Sequence, residues 1–141
     1  MSTSFEGSRT FEASSEKILK LINNFEEYKE FLPGCIDSIR LSKSDEGLIS
    51  GRLVFSILNK TYSFESINKI NGLEVRISQL KGPFLNFYAL WNLESIDEDN
   101  TKVKFTAKFS LPLFLKIFAQ KNLIDRVGNK FIDAFADRLS K

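Results

Sequence analysis

Thr101-Lys102-Val103-Lys104-Phe105-Thr106-Ala107-Lys108-Phe109-Ser110-Leu111, followed at once by Pro112, is the stretch that decides the fold. Val103, Phe105, Ala107, Phe109 and Leu111 alternate with Lys102, Lys104, Thr106, Lys108 and Ser110. A period of two marks a strand with one apolar and one wet face. Beyond Pro112, a residue suited to a helix start, Ile117, Ile124, Val127, Phe131, Phe135 and Leu139 recur at three- and four-residue spacings. They predict one long helix over about 113–139 whose apolar stripe must cover something. The free face of a sheet is the large candidate. Gly128 lies beside the stripe and costs about 1 kcal/mol against alanine, which close packing or a bend would offset.

Upstream, residues 35–43, 48–58, 61–70, 73–80 and 84–96 read as further strands. In the last of these, Leu85, Phe87, Ala89, Trp91 and Leu93 take every second position. The connections are short, so the sheet is expected to be an antiparallel meander. Asn71-Gly72 is the sharpest turn, since both residues tolerate positive φ. A first strand is expected over 4–12. Ser14 then caps a helix that turns Ile18, Leu19, Ile22 and Phe25 to the core, and a short helix over about 25–31 stops at Pro33-Gly34.

The chain has 141 residues, enough for one domain spanning 1–141. It carries 14 Phe against one Met and one Trp. Phenylalanine has no polar handle, so this surplus suits either the walls of an apolar cavity or a filled core. Histidine is absent and Cys35 is the sole cysteine, which excludes histidine-dependent triads, histidine metal sites, an internal disulfide and a thiolate zinc cluster. No phosphate-binding glycine loop, calcium loop or nucleophile elbow is present. Glu26, Glu27 and Glu30, and Asp97, Glu98 and Asp99, read as solvated faces. The N-terminus lacks a signal-peptide pattern and no stretch has the length of a membrane span, so a bacterial cytoplasm is expected, at most peripheral to the inner membrane. Residues 1–100 carry 11 basic and 15 acidic side chains, whereas residues 101–141 carry 9 and 3.

Tyr28-Lys29-Glu30-Phe31-Leu32-Pro33-Gly34-Cys35, after an amphipathic helix and before a strand, resembles the coenzyme Q-binding START-like family. That family includes the RatA ribosome-association toxin branch and belongs to the SRPBCC, or helix-grip, superfamily. Gly82-Pro83-Phe84, Trp91, Thr101-Lys102-Val103-Lys104-Phe105 and Ala134-Phe135-Ala136-Asp137-Arg138 extend the resemblance over nearly the whole chain. Gly34 is more like the RatA-type branch than the mitochondrial one. The resemblance implies an α+β helix-grip fold, a curved antiparallel sheet wrapped around a long C-terminal helix with an apolar tunnel between them. It also implies ubiquinone binding in support of respiration or, in the RatA branch, binding to the large ribosomal subunit that blocks subunit joining.

Two functions follow as expectations. The first is a carrier or chaperone for a polyprenyl quinone or similar lipid, with no cofactor and no catalytic or metal-binding residue. Phe55, Tyr62, Phe64, Phe87, Trp91, Phe105, Phe109, Phe131 and Phe135 would line its cavity, and Phe31 and Leu32 would form a rim or simply a structural corner. The second is a ribosome-binding inhibitor of translation initiation acting through Lys102, Lys104, Lys108, Lys116 and Lys121, with Arg126 and Lys130 nearby. Such contacts are phosphate-directed, and the wet face of the 101–111 strand shows no interleaved aromatic for base stacking. An enzyme is not expected, because neither histidine nor an acid–base pair is available. Leu111-Pro112-Leu113-Phe114-Leu115 is the expected hinge for ligand entry and a point of transient membrane contact.

Overall fold

The computed structural model describes residues 3–57 and 59–141, the side chains of Ile117 and Phe118 apart. Leu58, placed at a strand end by the sequence, and the Ile117 side chain of the helix stripe lie outside the described residues. The order is β1 (Thr3–Phe11), α1 (Ser15–Ile22), a 3-10 turn (Phe25–Glu27) running into α2 (Tyr28–Phe31), then β2 (Cys35–Lys43), β3 (Leu48–Ile57), β4 (Lys60–Asn71), β5 (Glu74–Lys81), β6 (Asn86–Ser95) and β7 (Thr101–Ser110). A second 3-10 segment (Leu113–Phe118) leads to α3 (Lys121–Leu139).

Ser14 caps α1 as its chemistry predicts. Its backbone is extended and its Oγ accepts a hydrogen bond from the Lys17 N–H at 3.2 Å, satisfying one of the first-turn donors. Ile18 and Ile22 are fully buried and Phe25 nearly so, while Leu21 rather than Leu19 completes the buried face. Leu32 is extended before Pro33, Gly34 turns with φ +80°, and the Gly34 carbonyl accepts from the Ser56 N–H at 2.9 Å. The phenylalanine–proline corner is thereby tied to the end of β3.

The seven strands form one antiparallel sheet in the order β1-β7-β6-β5-β4-β3-β2. β2 to β7 are the expected meander. β1 returns to the far edge and pairs with the last strand from Thr3↔Phe109 to Phe11↔Thr101. In the β4–β5 turn Asn71 is still a strand residue paired with Glu74, so Gly72 and Leu73 make the loop, and Gly72 alone takes positive φ (+62°). Leu85 precedes β6 and is 69% exposed, so the apolar face of that strand starts at Phe87.

The long helix is shorter than expected. Pro112 and Gln120 are both extended, and the six residues Leu113–Phe118 close as a 3-10 helix instead. Tertiary contact also rotates the helix face. Phe5 of β1 rises between Gly7 and Gly128, and a Cβ on Gly128 would lie 2.5 Å from its ring. A Cβ on Gly7 would lie 2.6 Å from Ile132 Cδ1. Close packing, not a bend, is therefore what Gly128 provides. The buried stripe centres on Gly128 and Phe135, taking in Ile124 and Ile132, and leaves Val127 59% exposed. Arg9 fixes the same contact at the surface, donating to Asp133 at 2.8 Å and Asn129 at 3.0 Å. Arg138 holds the helix end to the 3-10 turn and α2 through Glu27 (3.0 Å) and Glu30 (2.8 Å), so two of the carboxylates expected to be merely solvated are ion-paired.

Replacing Gly128 by Ala tests the close approach. An exposed helix position would gain about 1 kcal/mol from the change. Here the new methyl meets a buried ring, and overpacking typically costs about 1–3 kcal/mol. Chemical denaturation should show a net loss of stability, and a gain would mean that α3 can lift from β1 freely.

Candidate functional site

The inward faces of the strands and the buried stripe of α3 enclose an aromatic interior in two parts. In the inner part the indole of Trp91 lies 4.7 Å from the Phe105 ring centre, 5.0 Å from Phe135 and 5.8 Å from Phe131. Phe131 is 5.1 Å from both Phe105 and Phe135. Tyr28 and Phe31 meet Phe135 edge-on at 5.4 and 5.1 Å, and Leu32 is buried beside them. Trp91, Phe105, Phe135, Tyr28 and Leu32 are buried, Phe31 and Phe131 are half-buried against them, and rings at such separations form a packed core.

The outer part lies where β3, β5 and β7 end and β4 and β6 begin. Phe64, Phe87 and Phe109 gather around Phe84, whose ring is 5.8, 5.0 and 5.4 Å from theirs. Phe55 and Tyr62 face each other on β3 and β4. Apart from the buried Phe64, these side chains, five in all, are only half-buried. Phe84 was absent from the expected lining, although the Gly82-Pro83-Phe84 motif marked it. Gln79 is what turns it inward: its Nε2 donates to the Phe84 carbonyl (3.0 Å) and its Oε1 accepts from the Phe84 N–H (3.3 Å). The expected cavity residues thus separate into a closed floor and a half-open mouth.

Polar groups inside the grip are few. Asn68 donates from Nδ2 to Asn23 Oδ1 at 3.0 Å, but its Oδ1 and the Trp91 Nε1 are buried without a partner among the described residues. Each such orphan costs about 1–3 kcal/mol. Tyr28 donates its hydroxyl to the Ile22 carbonyl, and burial pushes that hydroxyl far above its usual range, so it stays protonated. Burial also pushes the Cys35 thiol up, which makes it a packing group rather than a nucleophile. Among the described residues no group of His, Cys, Asp or Glu could hold a metal ion.

The five expected surface lysines do not form one patch. Lys102, Lys104 and Lys108 project from the convex face of β7. Lys104 pairs with Glu6 at 2.7 Å, and Lys102 faces Glu94 across β6. Lys108 stands opposite Tyr88, which is 61% exposed. The wet face therefore carries an aromatic beside a lysine, contrary to the expectation from the β7 sequence alone, because the neighbour arrives by strand pairing. Lys116 lies on the 3-10 segment. Lys121 opens α3, paired with Asp125 at 2.9 Å. Phe31 also borders an open cleft of about 420 Å³ between the proline corner and the last turns of α3, with Glu30, Pro33, Ala134 and Arg138.

Residues 11–136 match the family described as polyketide cyclase / dehydrase and lipid transport. The ribosome association toxin RatA of Vibrio cholerae is 27% identical over 127 residues, 89% of this chain and 87% of that protein. The Zhui aromatase/cyclase of Streptomyces sp. R1128 superposes with a TM-score of 0.83 at 13% identity, covering 99% of this chain and 94% of that one. A STAR-related lipid transfer protein from Xanthomonas axonopodis gives 0.75 at 16% identity, covering 98% and 86%. These findings overturn the expectation of a non-enzyme. The family description names cyclase and dehydrase beside lipid transport, and aromatase/cyclases share the fold. Lack of histidine removes only histidine-dependent mechanisms, whereas a shaped apolar site can also promote a reaction by holding a chain in a reactive geometry. With its curved seven-stranded sheet closed by a C-terminal helix, the chain has the START-like helix-grip fold and belongs to the polyketide cyclase / dehydrase and lipid transport family.

Proposed function

We propose that the protein binds one apolar, lipid-like molecule between the sheet and α3, a polyprenyl quinone or a lipid of similar shape. The observation that carries this reading is the half-open aromatic mouth formed by Phe55, Tyr62, Phe84, Phe87 and Phe109, set against a floor of buried Trp91, Phe105 and Phe135 on which the half-buried Phe131 packs. Fully burying an aromatic or aliphatic side chain yields about 1.5–3 kcal/mol, so covering the mouth with an isoprenoid tail is favourable, and few polar groups there demand satisfaction. The orphaned Asn68 Oδ1 and Trp91 Nε1 add a motive for the floor to open towards a ligand's polar end. The family description, which includes lipid transport, supports the same reading.

The two parts of the grip should respond differently to added volume. Phe105→Trp enters the filled floor and should cost about 1–3 kcal/mol in chemical denaturation. Phe87→Trp at the mouth should leave stability nearly unchanged and reduce uptake of a short-tailed ubiquinone, read by isothermal titration. Equal stability costs at both sites, with no quinone or lipid recovered from the purified protein by extraction, would defeat the proposal. A bulky ligand also needs a moving element. The 3-10 segment is suited to this, because its hydrogen bonds are poorer than those of an α-helix. Hydrogen exchange should show residues 113–118 opening faster than β7, and bound ligand should slow them.

Ribosome association is a second reading, favoured by the RatA relatives and by the Tyr88–Lys108 pair on the convex face. A tyrosine beside a lysine offers stacking and phosphate contact together. Lys102→Glu, Lys108→Glu and Tyr88→Ala combined should abolish salt-sensitive cosedimentation with ribosomes while leaving the fold intact, since all three are exposed. Cosedimentation that is indifferent to these changes and to salt would remove this reading.

A further inference from the structure

The end of the grip that holds the aromatic mouth carries its own exposed apolar group. Leu113 is 83% exposed, Phe114 65% and Leu85 69%. Leu113 and Phe114 open the 3-10 segment that follows β7, and the Leu85 N–H donates to the carbonyl of Ser110, the last residue of that strand, at 2.9 Å. The two apolar loops therefore leave the same edge of the sheet. Isolated exposed leucines need no explanation, but neighbouring large side chains at a loop tip mark a contact surface.

The chain segments that form that edge carry basic side chains and no carboxylate of their own. From Phe105 to Ile124, the part of the chain nearest that edge, there are Lys108, Lys116 and Lys121 and no carboxylate. Between Val75 and Leu93, the stretch that includes the Leu85 loop, it has Arg76 and Lys81 and again no carboxylate. The acids that reach the area come from elsewhere: Asp125 pairs with Lys121, Glu6 with Lys104, and Glu65 faces Lys81 across β4. Lys108 and Lys116 have no ion pair among the described residues.

We infer that this edge is a docking surface for an anionic lipid bilayer, with Leu113, Phe114 and Leu85 entering the interface and Lys108 and Lys116 meeting lipid phosphates. The inference rests on the ligand reading in one respect, since it places the mouth of the grip against the phase that holds an apolar ligand. Leucine and phenylalanine with a lysine rim match a bilayer boundary, where apolar insertion and attraction to anionic headgroups add. RNA fits less well, because leucine neither stacks nor donates. A second copy fits less well too, because a two-fold contact would set the lysine rims against each other.

The test uses the full chain and vesicles of phosphatidylcholine alone or mixed with phosphatidylglycerol, read by flotation. Binding is expected only to the phosphatidylglycerol vesicles. Lys116→Glu should weaken it about fivefold or more, as a lysine near an anionic surface contributes on that scale. Leu113→Ser with Phe114→Ser should abolish it with no change in thermal melting, because both side chains already face solvent. No binding to phosphatidylglycerol vesicles, or binding unchanged in the double serine variant, would overturn the inference. A dimer or ribosome cosedimentation lost in that variant, without vesicle binding, would overturn it in favour of another occupant. Ligand retention is measured on the protein without vesicles, so a failure here and a failure of the ligand reading are separate results.

Discussion

The contact between Phe5, Gly7 and Gly128 governs the geometry of the molecule. Two missing side chains let the helix come down onto the edge strand, and a ring from that strand fills the space between them. Because β1 is hydrogen-bonded to β7 along its whole length, fixing α3 on β1 also fixes it over β7 and β6. The rotation of the helix follows from the same contact. With Gly128 turned to β1, Phe131 and Phe135 point at Trp91 and Phe105, and Val127 is carried out to solvent. Arg9 and Arg138 then hold the helix along its length from outside, the first to Asp133 and the second to Glu27 and Glu30. Being surface pairs, they contribute little energy individually and act mainly on position.

A helix anchored on one edge of a curved sheet cannot cover all of it equally. Near β1, α1 and α2 the interior closes into a packed aromatic floor. Towards the ends of β3, β5 and β7 the helix gives way to a 3-10 segment, and the apolar face of the sheet is only half covered. The buried rings and the half-covered rings thus lie at different ends of one core. The floor supplies the cooperative packing of the fold. The mouth retains half-exposed apolar surface, beside a 3-10 segment whose hydrogen bonds are poorer than those of an α-helix.

The fold is shared with a lipid transfer protein and an aromatase/cyclase. A single apolar chamber can hold a tail for transport or hold a chain in a reactive shape, depending on the few polar groups that enter it. In this chain the inward polar groups include Ser66, Asn68, Gln79 and the indole of Trp91.

Much of this was legible in the order of residues. Alternation at Val103, Phe105, Ala107 and Phe109 reports a strand because the two faces of a pleated chain meet different solvents, and that holds wherever the strand is placed. Ser14, Pro33 and Gly72 likewise act through their own backbone chemistry, and their elements begin and end near the expected positions. Whatever depended on distant partners was not legible. Pairing of β1 with β7, the rotation that expels Val127, the inward turn of Phe84 by Gln79 and the meeting of Tyr88 with Lys108 each join segments that the local pattern treats separately. The sequence by itself determined which side chains are apolar and at what period they recur. Only the tertiary structure decided which of them close the floor and which stay half-open, because burial is settled by how near the helix can approach each strand, and that distance is set by Phe5 between two glycines.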